Sequence, residues 1–265
     1  MGATYQGKYF LSASEADAEA KLSLTGLTSK LIEIATEHAN ALGIGNPVMQ
    51  HLHAGWILSR LTIEMCVYPE INSFYVVKTW IEDFNRHFST RCFSVESPEG
   101  IQYGFARSVW LVLDYERHIN FGTSHLQLSK DDIAGEGVPI ARQEKHIMIL
   151  PEEAELPATK KILVANHPVV NHRFLYCDLD YYRHVNTVKY VALLLNQFSL
   201  EEHDSTIINR LELSFLHEAG YGEETLLLRH DDTDNPLNSS FQLSDKKNGN
   251  VLLFARVVRN SHKFN

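Results

Sequence analysis

Apolar residues recur along this chain with two periods. Leu27, Leu31, Ile34, Ala35 and Leu42 fall on one stripe of a helix, with Lys30, Glu33, Glu37 and Asn40 turned away from it, and Gly43, Gly45 and Pro47 close the run. A second stripe, Val188, Val191, Leu194, Leu195 and Phe198, is entered through Asn186 and Thr187, either of which can accept from the free amides of a helix N-terminus. After each helix the period drops to two. Leu61, Ile63, Met65 and Val67 alternate with Thr62, Glu64 and Cys66, and Leu211, Leu213 and Phe215 alternate with Glu212 and Ser214, which predicts strands with one buried face. Turn signals at Pro98–Gly100 and Asn248–Gly249 each join two further strands.

The halves repeat. Arg60 ahead of its alternating stretch is matched by Arg210 at an offset of 150 residues, while Phe105–Arg107 recurs as Phe254–Arg256 and Gly100 as Gly249, each 149 residues on. Each half therefore predicts a strand, one main helix and an antiparallel meander, and the helix stripe and the apolar sheet face have only each other for cover. The expected fold is α+β: two tandem hotdog units, each a long helix wrapped by an antiparallel sheet. The units are expected over 1–118 and 162–265, with a connecting segment over 119–161 in which Gly, Pro and charged residues mix and a short helix is expected.

At 265 residues the chain is long enough for a real core without staples. A net charge of −9 argues against nucleic acid as a partner. Apolar runs stay short of the ~18 residues of a membrane span and the first residues lack a basic, then apolar, leader, so the sequence reads as soluble and cytoplasmic with no membrane partner. Cys66, Cys92 and Cys177 are too scattered for a disulfide framework or a CxxC site, and Cys177 reads as a core strand residue.

Candidate chemistry concentrates in Tyr176–Thr187, between a predicted strand and the second helix. A helix N-terminus offers unpaired amides and the positive end of the helix dipole, which can polarise a carbonyl oxygen as acyl transfer requires. Asp180 and His184 in the entering turn can orient substrate or move protons, although Asp, Asn and His are also ordinary capping and turn residues. Glu218 precedes Gly220 and Gly222 and is expected at a strand end or bulge, either as a site carboxylate or as a solvated turn residue. The Asp178-x-Asp180 pair lacks the glycine and third ligand of a calcium loop, and His51, His53, His167 and His172 lack a convincing third metal ligand.

These residues resemble the acyl-ACP thioesterases of plants and bacteria. Asp178 to Asn186 followed by Val188 to Tyr190 is similar to that family's DxDxNxHVNxxKY segment, and Trp56–Leu61, Thr79–Trp80, Arg91–Phe93 and Ala106–Trp110 are similar to its WxLxRL, TW, RxF and ARSxW motifs. The resemblance implies Asp180, His184 and Glu218 as catalytic residues, all in the second half. It implies acyl carrier protein as partner, hydrolysis of its acyl thioester to a free fatty acid, and no cofactor or metal; a homodimer is left open. Tyr182 stands where the family has asparagine, and Ala219 where plant members have cysteine.

On this reading Glu218 activates water, His184 positions the thioester or assists proton transfer, Asp180 orients the turn, and amides near Asn186 to Val188 hold the oxyanion. Tyr182 and Asn186 are expected to touch substrate, and Trp56 and Leu58 are expected to wall the acyl pocket or serve as plain core. Arg173, Arg183 and Lys189 are candidates to dock an acidic carrier. An acyl-CoA thioesterase and a non-catalytic acyl-carrier binding protein are the alternatives.

Overall fold

The computed structural model of the chain describes residues 3–117, 119–152 and 162–261, and its contacts gather into two units, Met1–Ala141 and Arg142–Asn265. Of the connecting segment expected over 119–161, residues 153–161 lie outside the described residues; the remainder carries a single 3-10 turn, Lys130–Asp132, as its only helix among the described residues.

The first unit contains β1 (Thr4–Phe10), α1 (Leu24–Ala41), α2 (Asn46–His51), β2 (Ala54–Met65), β3 (Phe74–Phe84), β4 (Ser89–Glu96), β5 (Gln102–Asp114) and the short β6 (Ile119–Asn120). Ser23 starts α1 by accepting the Gly26 amide at 3.0 Å, and the stripe Leu24, Leu27, Leu31, Ile34, Ala35 is buried as its spacing requires. Gly43, at φ +72°, turns the chain away from α1. α1 stops at Ala41, ahead of Gly43, Gly45 and Pro47 as expected, and Pro47 falls in the first turn of a second helix, α2, where its missing N–H costs nothing. The strands pair antiparallel in the order β1-β3-β4-β5-β2, with β6 on β5. Tyr75, Val77, Ile81, Phe93, Ala106, Leu61 and Ile63 supply buried core residues beside α1.

The second unit contains β7 (Met148–Leu150), β8 (Ile162–Val164), β9 (Val170–Arg173), α3 (Thr187–Leu195), α4 (Leu200–Ser205), β10 (Thr206–Phe215), β11 (Glu224–Asp231), β12 (Asn238–Asp245) and β13 (Val251–Ser261). Its antiparallel sheet runs β10-β13-β12-β11-β9, while β7 and β8 form a separate parallel pair. Tyr190, Val191 and Leu194 of α3 are buried, as are Leu211, Leu213, Phe241, Leu243, Leu253, Ala255 and Val257 of the strands.

The sequence repeat is a repeat of registers. β2 slips against β5 between Leu58 and Arg60, and β10 slips against β13 between Ile208 and Arg210, so each repeated arginine follows a bulge. Arg107 then lies opposite Thr62, and Arg256 opposite Glu212.

Three local expectations are corrected. Val67 is 51% exposed because β2 ends at Met65. Cys177 sits in an exposed 3-10 turn, Tyr176–Asp178, not in a core strand, since Asp178 bends the chain there. Burial is not confined to one sheet face either: Cys92 is fully buried under Val138 and Ile140, which arrive from the connecting segment.

Candidate active site

The chain before α3 is folded by its own short side chains. Asp178 Oδ2 accepts the Leu175 amide at 2.8 Å. Asp180 Oδ1 accepts two amides, from Tyr182 at 2.9 Å and His184 at 3.1 Å, while the Asp180 amide donates to the His184 carbonyl at 2.8 Å. An aspartate bonding its own backbone two and four residues on closes a tight turn, and Arg183 completes it in the left-handed region at φ +68°. Asp180 is thereby committed to shaping the turn that presents His184.

Asn186 then caps α3, its side-chain oxygen accepting the Val188 amide at 3.0 Å, and its own amide donates to the Asp178 carbonyl at 2.8 Å. Of the three amides expected to hold an oxyanion, those of Asn186 and Val188 are therefore occupied. The Thr187 amide is the one without a partner among the described contacts.

Glu218 lies beyond the end of β10, in the loop that leads to β11. The Leu216 and His217 amides both point at the Leu252 carbonyl, at 2.9 and 3.4 Å, which holds the start of this loop against β13 just beyond the end of β10. The Val185 amide donates to the Ala219 carbonyl at 2.8 Å and His184 bridges Gly220, joining this loop to the turn before α3. The result places His184 Nδ1 3.4 Å from Glu218 Oε1, with side-chain exposures of 37% and 34%. A carboxylate and an imidazole this close, reachable from solvent at a helix N-terminus, can activate water and shuttle a proton beside a polarised carbonyl.

Around them, Tyr182 is partly buried with its hydroxyl shielded from solvent, and its ring lies 4.0 Å from that of Tyr181. Lys189 Nζ stands 3.7 Å from Asp178, while Arg183 is exposed on the turn. Sequence reasoning assigned no role to Tyr190. It is buried between Phe174 and Phe215, at ring separations of 5.3 and 5.4 Å, and burial pushes its phenol pKa up despite the Ala219 amide bonding to it. This phenol fixes the residue after Glu218; its position four residues beyond Asn186, on the buried face of α3, was the available signal.

Trp56 and Leu58 belong to the first unit. Trp56 Nε1 donates to the Ile44 carbonyl at 2.8 Å, its ring meets Phe84 at 6.5 Å, and it packs against Ile44, Met49, Ala54 and Val112. Leu58 is 9% exposed and lies opposite Trp110. The histidines considered for metal have other neighbours: His167 Nε2 lies 3.0 Å from Asp231, His53 lies 3.8 Å from Glu116, and His172 packs edge-on against Phe174.

Comparison with known proteins covers most of the chain. Residues 2–120 match the family model of the acyl-ACP thioesterase N-terminal domain, and residues 165–257 match that of the acyl-ACP thioesterase C-terminal domain. An oleoyl-acyl carrier protein thioesterase from Arabidopsis thaliana is 25% identical over 82% of this chain, which spans 61% of that relative's length. A solved acyl-ACP thioesterase from Bacteroides thetaiotaomicron is similar with a TM-score of 0.83 at 24% identity, covering 97% of this chain and 98% of that one. A 12:0-ACP thioesterase from Umbellularia californica is similar with a TM-score of 0.77 at 16% identity, covering 98% of each chain.

Proposed function

The chain belongs to the acyl-ACP thioesterase family, and from that premise we propose that it hydrolyses the thioester linking an acyl chain to acyl carrier protein, releasing a free fatty acid and the carrier thiol. We read each unit as one hotdog, α1 and α3 being the wrapped helices, with the reaction carried by the second. The observation that supports this reading most directly is the approach of His184 Nδ1 to Glu218 Oε1, at 3.4 Å beside the N-terminus of α3.

In the proposed reaction Glu218 takes a proton from water as the water oxygen adds to the thioester carbonyl carbon. The oxyanion that forms is met by the Thr187 amide and the positive end of the α3 dipole. Collapse of the tetrahedral intermediate breaks the carbon–sulfur bond, and the carrier sulfur leaves with the proton returned through the His184–Glu218 pair. With Nδ1 turned to Glu218, Nε2 is the imidazole atom left for the substrate. Asp180 acts through the turn, holding His184 in place.

Parallel assays with carrier-bound and CoA-bound acyl groups of the same length test the reading. Preferential hydrolysis of the carrier-bound group is expected; CoA-only turnover would redirect it to acyl-CoA, and binding without turnover would make the protein an acyl-carrier binder.

A further inference from the structure

We propose that the exposed rim around the His184–Glu218 pair, formed by Leu175, Tyr176, Tyr181 and Tyr221 with Arg173 and Arg183, is the surface on which acyl carrier protein docks. This rests on the hydrolysis reading above and names the part of the chain that holds its macromolecular substrate. The ground for it is an internal control: the first unit contains the same backbone without these side chains.

The turn before α1 repeats the turn before α3 bond for bond. Asp17 Oδ1 accepts the Glu19 and Lys21 amides at 3.1 and 2.9 Å, as Asp180 accepts those of Tyr182 and His184. The Asp17 amide donates to the Lys21 carbonyl at 2.8 Å, and Ala20, at φ +58°, stands where Arg183 stands. The Leu22 amide donates to the Pro69 carbonyl at 2.8 Å, matching Val185 and Ala219, and Lys21 bridges Glu70 as His184 bridges Gly220. Further back, the Asn72 amide meets the Leu11 carbonyl at 3.0 Å, as the Gly222 amide meets that of Phe174 at 2.9 Å. Leu11 to Ser23 is therefore equivalent to Phe174 to Asn186 without a gap.

Equal backbones carry unequal side chains. Where the second unit has Leu175, Tyr176, Tyr181 and Arg183, the first has Ser12, Ala13, Ala18 and Ala20, and the turn closes with the same backbone bonds on those small residues. Folding therefore does not require the large ones, yet Leu175, Tyr176, Tyr181 and Tyr221 are held in water at 54, 81, 68 and 65% exposure. A single exposed apolar residue needs no explanation, but four on two facing segments mark an interaction surface, and Tyr with Arg is the composition that protein interfaces favour. The segments face each other through backbone: the run that pairs Val185 with Ala219 and His184 with Gly220 brings Arg183 beside Tyr221, and the Gly222 amide on Phe174 sets Leu175 and Tyr176 alongside it. A carrier joined to the acyl group through the thioester sulfur is still attached while the carbonyl carbon lies at Glu218, so the carrier itself is the protein brought to this rim. Charge fits the same occupant. Asp178 and Glu224 face Lys189 and Lys246 at 3.7 and 3.9 Å, whereas Arg173 and Arg183 are exposed with no carboxylate in ion-pair range among the described residues, leaving two guanidiniums for an acidic partner on a chain of net charge −9.

The test compares the full chain with the double variant Tyr176→Ala, Tyr221→Ala on two thioesters of one acyl group: acyl-loaded carrier protein, and the N-acetylcysteamine thioester, which offers no protein to dock. A KM for the carrier raised at least ~10-fold is expected, with kcat for it and kcat/KM for the small thioester within about twofold of the unaltered chain. An unchanged KM for the carrier would overturn the proposal, and so would an equal loss on both thioesters, which would assign the patch to the site or the fold. A photoreactive benzoylphenylalanine at position 176 supplies an arm that needs no hydrolysis. A cross-link from it to carrier protein supports docking here even if the unaltered chain hydrolyses neither thioester, in which case only the reading of the function fails. A cross-link between two copies of this chain instead, or none to the carrier, would overturn the proposal.

Discussion

His184 Nδ1 and Glu218 Oε1 stand 3.4 Å apart because backbone, not charge, brings their loops together: the Val185 amide donates to the Ala219 carbonyl at 2.8 Å, one residue beyond each of them. Neither side chain is needed for that pairing. Substituting either one is therefore expected to alter the proposed chemistry while leaving the backbone pairing in place.

Asp180 is the opposite case. Its Oδ1 satisfies two backbone amides, so Asp180→Ala should lower stability by about 1 to 3 kcal/mol and cut turnover together. Asp180→Asn keeps the acceptor oxygen and should restore most of the stability. A thermal melt beside the hydrolysis assay decides; equal melts for the two variants would remove the turn-holding role.

Tyr182, which stands where the resemblance leads one to expect asparagine, carries a hydroxyl shielded from solvent. Tyr182→Phe should cost about 1 to 3 kcal/mol of transition-state stabilisation, roughly 5- to 150-fold in kcat/KM, as for a lost buried hydrogen bond. An unchanged kcat/KM would mean that the hydroxyl has no part in the reaction.

Trp56 joins Ile44 by a hydrogen bond and packs into the cluster around Met49 and Val112, so Trp56→Ala should destabilise the protein by about 3 kcal/mol, read as a lower Tm. Retained stability with a shift toward longer acyl groups would instead make it a wall of the acyl pocket.

The second unit carries a carboxylate–guanidinium network that should set its acid stability. Burial alone would raise Glu202, but the Ser199 amide and the guanidiniums of Arg229 and Arg259 outweigh it and hold the carboxyl low. Asp231 is likewise held low, against its burial, by Arg229, Ser239 and His167. Folded pKa values below the unfolded ones, which lie near ~4, contribute stability that is fully present above that pH and is lost as pH falls through the folded values. Denaturant melts should show this loss below about pH 4, and Glu202→Gln should flatten it. An unchanged pH slope in that variant would contradict the assignment.

The parts of the fold legible in sequence are those that leave a local period. Leu27, Leu31 and Ile34 mark α1 because one face of a helix is buried, and the repeated Arg60 and Arg210 mark bulges because both strands slip there. Cover brought from a distance leaves no such trace. Arg107 stands out as part of a repeat, yet nothing near it announces that its guanidinium holds Val138 and Ile140, or that Cys92 is consequently buried. The same holds at the site. Asp180, His184 and Glu218 can be singled out by residue type and turn position, whereas the Thr187 amide and the Tyr190 phenol emerge only when the capping and packing around them are known.

The proposed hydrolysis rests most heavily on Glu218 as the base. The most direct measurement is the rate of fatty acid release from acyl-loaded carrier protein by the unaltered chain and by Glu218→Gln, with a thermal melt of each. A loss of ~100- to 10,000-fold in kcat at an unchanged Tm is expected, the range for removing a general base. A Glu218→Gln variant that releases fatty acid at the unaltered rate would contradict the account.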